Sequence, residues 1–413
     1  MEPYYYTKMS KPKQAVYHAI YQGLMALSDS FQVPKLEGRE LSDVFFQLRL
    51  DHPEIFWAEG FHYRYYQDSA NITFLPEYIF EKGKIKEHQK ALKARVEKLA
   101  RPAMKLSEWE KEKYVHDFIC ENIHYDKLKK SYSHEIIGPL GQGVGVCEGI
   151  AKSVKVLCDA LGIWCMIAIC GNNPEKGIKY RHTWNIVKIN GTYYHLDATF
   201  DNTLGKHSFG AKEIRYDYFN LDDKNIFRDH EPLIAPAPIC TDGDHFYYKE
   251  KKLSFTKTED VYKRSLQAAK KGKMLTFHWR GGYLTRAVLE ELLDLMKKAG
   301  EEREKTARIA LNWPQAVIRL TYADGRAESM VEAEAAGRAM TSEASSGFTA
   351  STVSTTCTSL RRVCGNSGRS GRSMMRQARM ASELGRPSRR KNEPGILPAA
   401  YIFSSTSTVS GKK

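Results

Sequence analysis

Long apolar runs are absent from this chain of 413 residues: none approaches the ~20 consecutive apolar residues that cross a bilayer, and the opening MEPYYYTKMSKPKQ has no apolar stretch of the secretory kind. These absences favour a cytoplasmic protein that uses no membrane. Cysteine is scarce as well. The eight, at positions 120, 147, 158, 165, 170, 240, 357 and 364, are too thinly spread for a disulfide scaffold, and no Cys-x-x-Cys pair offers zinc a thiolate clamp. Reduced thiols are expected. His134, His207 and His230 make no metal set with neighbouring carboxylates, so no metal and no organic cofactor is expected.

Lysine disappears between Lys305 and Lys391, although the preceding chain is rich in it, and hydrophobic periodicity fades from about Asp324. Such a segment has too little to bury, so residues 325–413 are expected to form a disordered basic tail. The abrupt switch in residue usage is also what translation from a shifted reading frame produces. Roughly half of the net charge of +14 comes from the last hundred residues, where arginines scatter among Ser, Thr, Gly and Ala. Without a helical stripe or an aromatic stacking platform, that charge argues for a solvated tail and against a nucleic-acid partner.

What remains is enzyme-sized and well supplied for a core: 42% of residues are hydrophobic, with 23 Tyr and 17 Phe. Residues 1–105 are expected to form an N-terminal α+β region. Val16, Ile20 and Leu24 mark one helix, Leu41 to Leu50 another, and the aromatic run EIFWAEGFHYRYYQDSANITFLPEYIF supplies strands. A long exposed helix follows, with Ile85, Leu92, Val96 and Leu99 as its apolar seam. Residues 106–232 form a core that opens with a capping box, Ser107 to Glu110. Beyond the linker EPLIAPAPICTDGD, residues 245–323 alternate strands (HFYYKEKKLSF, MLTFHWR, ARIALNW, AVIRLTY) with helices at Thr258–Lys271 and Leu284–Lys298, a small α+β appendage.

The chemistry concentrates in GVGVCEGIAKSVKVLCDALG and RHTWNIVKINGTYYHLDATFDN. Gly141, Gly143 and Gly145 lead to Cys147, after which Ile150, Val154, Leu157 and Leu161 recur at helical spacing until Gly162 stops the helix. A thiol at a helix start feels unpaired N–H groups and the positive end of the dipole, which favour the thiolate. The same N–H groups could hold an oxyanion. HTWNIVKI and TYYHLDATF read as strands joined by Asn190-Gly191, the strongest short hairpin signal. If those two residues form the loop, Ile189 faces Thr192, Trp184 faces Asp197, and His182 becomes the diagonal neighbour of Asp197 on one face. His195 shares that face too and parity alone does not reject it, although it lies nearer the turn than the strand end where a helix start could approach.

Taken together, the stretches GVCEGIAKSVKVLCDALGI, HTWNIV and YHLDATFDN resemble the core of the transglutaminase-like superfamily, in its bacterial form, and the resemblance spans roughly residues 107–230. It implies an α+β, papain-like fold whose cysteine helix packs on an antiparallel sheet. Cys147 is then the nucleophile, His182 the base and acid, and Asp197 the residue that orients the imidazole. Phe200 stands where the family often has Trp, an aromatic exchange that leaves the triad intact. The missing Cys-x-x-Cys separates the chain from the deglycosylating branch, and the full triad separates it from members that have lost their catalytic residues.

Gln142, five residues before Cys147, is a candidate oxyanion donor, and Trp184 a candidate for shaping the site. The expected activity is thiol chemistry on the amide of a peptide or protein partner through a thioester, with hydrolysis of the cysteine-protease kind preferred over acyl transfer. Two rivals stay open: a cross-linking acyltransferase, and a module that binds a peptide or cell-wall-related ligand without turnover.

Overall fold

The computed structural model describes residues 2–65, 68–176, 178, 181–205, 213–325, 330–334 and 395–398. Near the N-terminus, helices Lys11–Met25 and Gly38–Asp51 accompany strands Phe31–Pro34, Ala58–Tyr65 and Asn71–Tyr78, which pair antiparallel. Val16, Ile20, Leu24 and Leu41 are buried. In the charged helix Lys82–Ala100, Ile85 and Leu92 are buried while Val96 and Leu99 are half-buried, because its lysine-rich faces stay in water. The capping box forms as expected: the Ser107 hydroxyl accepts from the Glu110 N–H, and the Glu110 carboxylate accepts from the Ser107 N–H at 3.1 Å. Among the described residues no helix is long and apolar enough to cross a membrane.

The architecture is α+β, as expected from the sequence. At its centre, helix Cys147–Ala160 packs on an antiparallel sheet of Trp164–Ile169, Thr183–Ile189, Thr192–Leu196 and Phe219–Leu221. Ile150, Val154, Leu157 and Leu161 are buried, and each is worth about 1.5–3 kcal/mol of burial. Asn185 locks helix to sheet by donating from Nδ2 to Ala151 O at 2.9 Å and to Met166 O at 3.3 Å. The 131–135 segment crosses the helix start so closely that a Cβ on Gly149 would lie 2.2 Å from Ser133 O. Only glycine fits there.

Two segments depart from expectation. The strand read through Phe200 ends at Leu196, and Ala198–Gly205 is helical. Asp197 causes the switch, since its Oδ1 accepts from the N–H groups of Thr199 (2.9 Å) and Phe200 (3.1 Å), an N-cap that outcompetes strand propensity. The segment HFYYKEKKLSF, expected as a strand, is a helical turn over Tyr247–Glu250 with only Ser254–Phe255 extended. Three successive rings explain it. Phe246 and Tyr248 are buried while Tyr247 stacks on Tyr216 at 3.6 Å, and a strand would send Tyr247 to the face opposite both neighbours.

One apolar cluster runs from Tyr5 through Tyr248 and takes in Val317; a second fills the appendage, where helices Thr258–Lys271 and Arg286–Glu301 cover strands Leu275–Trp279, Lys305–Asn312 and Val317–Asp324. Within the stretch expected to be a tail, two short strands are described. Met330–Glu334 runs parallel to Lys305–Asn312, and Gly395–Pro398 runs antiparallel to Ala58–Tyr65. The rest of that expectation lies outside the described residues, as does His207.

Candidate active site

The hairpin has the register its turn requires. Asn190 (φ 49°) and Gly191 (φ 89°) both take the left-handed backbone of a two-residue turn, Ile189 faces Thr192, and the ladder runs to Asn185 opposite Leu196. Extending it by one step sets Trp184 against Asp197 and puts His182 on the diagonal. The two side chains meet: His182 Nε2 lies 2.6 Å from Asp197 Oδ2, with both residues buried. His195 goes elsewhere. Its Nδ1 accepts from Trp184 Nε1 at 2.9 Å, its Nε2 lies 2.8 Å from Asp223 Oδ1, and burial holds its pKa below the ordinary value, so it is a neutral strut.

With Nε2 committed to the carboxylate, only Nδ1 of His182 remains for chemistry. That atom is buried and has no hydrogen-bond partner of standard geometry. Cys147 interacts with this imidazole through its side chain. It opens its helix at 9% exposure, and burial pushes its thiol up, but a hydrogen bond and the charge of His182, with help from Thr183, outweigh that and bring it below the ordinary value. For His182 burial disfavours the cation, yet the Asp197 charge and hydrogen bond and the nearby sulfur raise its pKa well above normal. Burial also works against the Asp197 carboxylate, and its two histidine partners more than compensate, leaving it well below the usual carboxylate range. The lowered thiol and the raised imidazole both shift the pair towards thiolate and imidazolium.

Aromatic rings hold the imidazole in place. Phe200 stacks on His182 with centroids 4.6 Å apart and planes 28° from parallel, and Trp184 stacks at 5.7 Å and 22°. Trp184 thus touches the His182 ring and also donates its indole N–H to His195. Gln142 is exposed, at the last position of the π-helical turn Ile137–Gln142, and its side chain makes no hydrogen bond among the described residues.

Sequence reasoning missed two features. The first is His230, considered there only as a metal ligand: its Nε2 lies 3.0 Å from the same Asp197 Oδ2 that holds His182. The only signal was the dipeptide Asp229-His230 after an aromatic strand, a pattern with little specificity. The second is a buried ionic network beneath the cysteine helix. Lys152 Nζ bonds Glu148 at 2.8 Å and Glu135 at 2.7 Å, Arg49 also pairs with Glu135, and His134 Nδ1 lies 3.2 Å from Glu148. It clamps the loop before Cys147 and an N-terminal helix onto the residue following the thiol.

Among the described residues, two groups carry metal-ligand side chains, His182 with Asp197 and His230, and His195 with Asp223 and Cys240. Neither arrangement suits an ion. In the first, the nitrogens already lie at hydrogen-bond distance from Oδ2, closer than ligands spread around a shared cation. In the second, a metal on His195 Nε2 would require the ring proton on Nδ1, where the Trp184 indole N–H, a donor only, already points.

With this geometry in view, the family model of the transglutaminase-like superfamily matches residues 93–198, a span that holds Cys147, His182 and Asp197. This part of the chain belongs to the transglutaminase-like superfamily. The transglutaminase-like core also has similarity to solved structures. One is a TGase at 12% identity, covering 37% of this chain and 46% of that one with a TM-score of 0.25. Another is a candidate cysteine protease from Cytophaga hutchinsonii at 17% identity, covering 33% of this chain and 60% of that one with a TM-score of 0.23. The chain thus spans about half the length of these structures. No curated protein matches its sequence.

Proposed function

We propose that the transglutaminase-like core is a thiol hydrolase for amide bonds of a peptide or protein. The observation that carries this reading is a single imidazole, fixed through Nε2 to a buried carboxylate, whose charge and hydrogen bonding lower the pKa of a thiol at a helix start. The Cys147 thiolate attacks the carbonyl carbon, and the electron pair moves to oxygen. Unpaired N–H groups at the start of helix Cys147–Ala160 receive that oxyanion, with Gln142 as a second candidate donor. His182 passes its Nδ1 proton to the leaving amine, the C–N bond breaks, and a thioester remains. Water then attacks, giving its proton to His182, and the acid is released with the thiolate restored. Asp197 holds the ring and balances its charge throughout.

Incubation with casein and a fluorescent primary amine tests the reading. New peptide ends without label are expected, and they must vanish in Cys147→Ala. Covalent labelling instead would establish acyl transfer. Casein binding that survives in Cys147→Ala, with neither product from the intact protein and no iodoacetamide reaction of Cys147 at pH 7, would make the chain a binding module.

A further inference from the structure

We infer that His230 is a positioning residue of this site: a second imidazole on the Oδ2 of Asp197 that shares the carboxylate with His182 and so keeps the His182 proton transferable. The inference rests on the thiol-enzyme reading above. It starts from hydrogen-bond accounting. Oδ1 of Asp197 is filled by two helix N–H groups, leaving Oδ2 to serve both rings, His182 at 2.6 Å and His230 at 3.0 Å. The other nitrogen of His230, Nδ1, lies 2.9 Å from Asp229 Oδ1.

Asp229 is itself saturated with donors, accepting from the Tyr218 hydroxyl at 2.6 Å and from Gln315 Nε2 at 3.2 Å. Each nitrogen of His230 therefore faces a carboxylate oxygen acting as acceptor, so each must carry a proton. The ring is an imidazolium by geometry. Its pKa agrees: burial opposes the charge, but the hydrogen bonds and charges of Asp197 and Asp229 raise it above normal.

A fixed cation on Asp197 has a definite consequence for its neighbour. The ring centroids of His182 and His230 are 5.4 Å apart in a buried setting, where like charges repel appreciably. An Asp197 serving His182 alone would hold that imidazolium so firmly that it became a poor acid for the leaving amine. His230 takes part of the carboxylate and adds repulsion, and the transfer proceeds. The charged and titratable groups around His230 are Asp197 and His182 from the hairpin, its neighbour Asp229, Tyr218 from the adjacent segment, and the neutral His195.

The test follows alkylation of Cys147 against pH, read by mass spectrometry of its peptide in the full chain, for the native protein, His230→Gln and Asp229→Asn. Glutamine keeps an N–H for Asp197 but no charge. Asparagine touches neither Asp197 nor Cys147, and it removes the negative charge beside Nδ1 that supports the His230 cation. In both variants the alkaline limb, where His182 loses its proton, is expected to move up by about one pH unit, and casein cleavage to slow. A role confined to packing moves neither limb. If the native profile shows the lowered thiol while a folded variant superimposes on it, the inference fails and the thiol-enzyme reading stands. If the native Cys147 titrates as an ordinary thiol, that reading fails first and takes the inference with it. Should His230→Gln not fold, Asp229→Asn decides.

Discussion

Replacing Asp197 by Asn probes the site at its most connected atom. Asparagine keeps a carbonyl oxygen for the Thr199 and Phe200 N–H groups, so the following helix retains its cap. At the Oδ2 position, however, an NH2 group would face two imidazole N–H groups that now lie 2.6 and 3.0 Å away. His182 must turn its lone pair towards the amide and lose the charge that stabilised its cation. A hydrogen bond to a charged group is worth about 1.5–3 kcal/mol, and at ~1.36 kcal/mol per pKa unit the imidazolium should weaken by about one to two units. Stopped-flow reaction of Cys147 with iodoacetamide between pH 5 and 10 reads this directly. The alkaline limb should move down by about one to two pH units, opposite in sign to the shift expected for His230→Gln. A folded Asp197→Asn protein with the native profile would refute the assignment of Asp197 as the partner of His182.

Further outcomes follow from other residues. Lys152→Met leaves the Glu135 and Glu148 carboxylates buried without their shared ammonium and should cost about 3–5 kcal/mol in denaturant unfolding; an unchanged midpoint would show the network to be dispensable. Gly149→Ala forces a Cβ against Ser133 O and should cost about 1–3 kcal/mol while slowing Cys147 alkylation, because the segment that seats the helix start is displaced. Stability should be greatest in mild acid. The raised pKa values of His182 and His230 stabilise the fold fully below about pH 6.5, and that contribution is lost as pH rises through their folded values. The depressed Asp197 contributes above about pH 4 and loses its share as pH falls through its folded value. Glu112 adds to the alkaline loss, since burial pushes its carboxyl up to about 8 and the fold must bear its ionisation above that. Glu112→Gln should therefore flatten the fall in Tm between pH 5 and 9, and an unaltered slope in a thermal scan would remove Glu112 from the account.

The central helix and hairpin were legible because local rules and tertiary packing agree there. Four apolar residues at helical spacing, a glycine stop and an Asn-Gly turn each point the same way, and the turn alone sets which side of the sheet His182 occupies. The choice between His182 and His195 was not legible by parity; it depends on Asp223 and Trp184 claiming His195 from outside the pattern. His230 was hidden for the same reason. Its partner lies 33 residues away, and no periodicity reports which carboxylate a loop histidine will meet. The strand misread through Phe200 shows a local competition that propensity undervalued, in which the carboxylate that orients a histidine also begins a helix.

The ties between the first fifty residues and the cysteine helix bear on how this protein can be dissected. Tyr5 donates its hydroxyl to Ile167 O at 2.6 Å, in the strand that follows the helix, and Arg49 caps the far end of the ion chain that reaches Glu148. A fragment trimmed to residues 106–232 would expose a greasy wound and strand Glu135 with half its countercharge. Such a minimal piece should precipitate on expression, and supplying residues 1–105 as a separate polypeptide should rescue it.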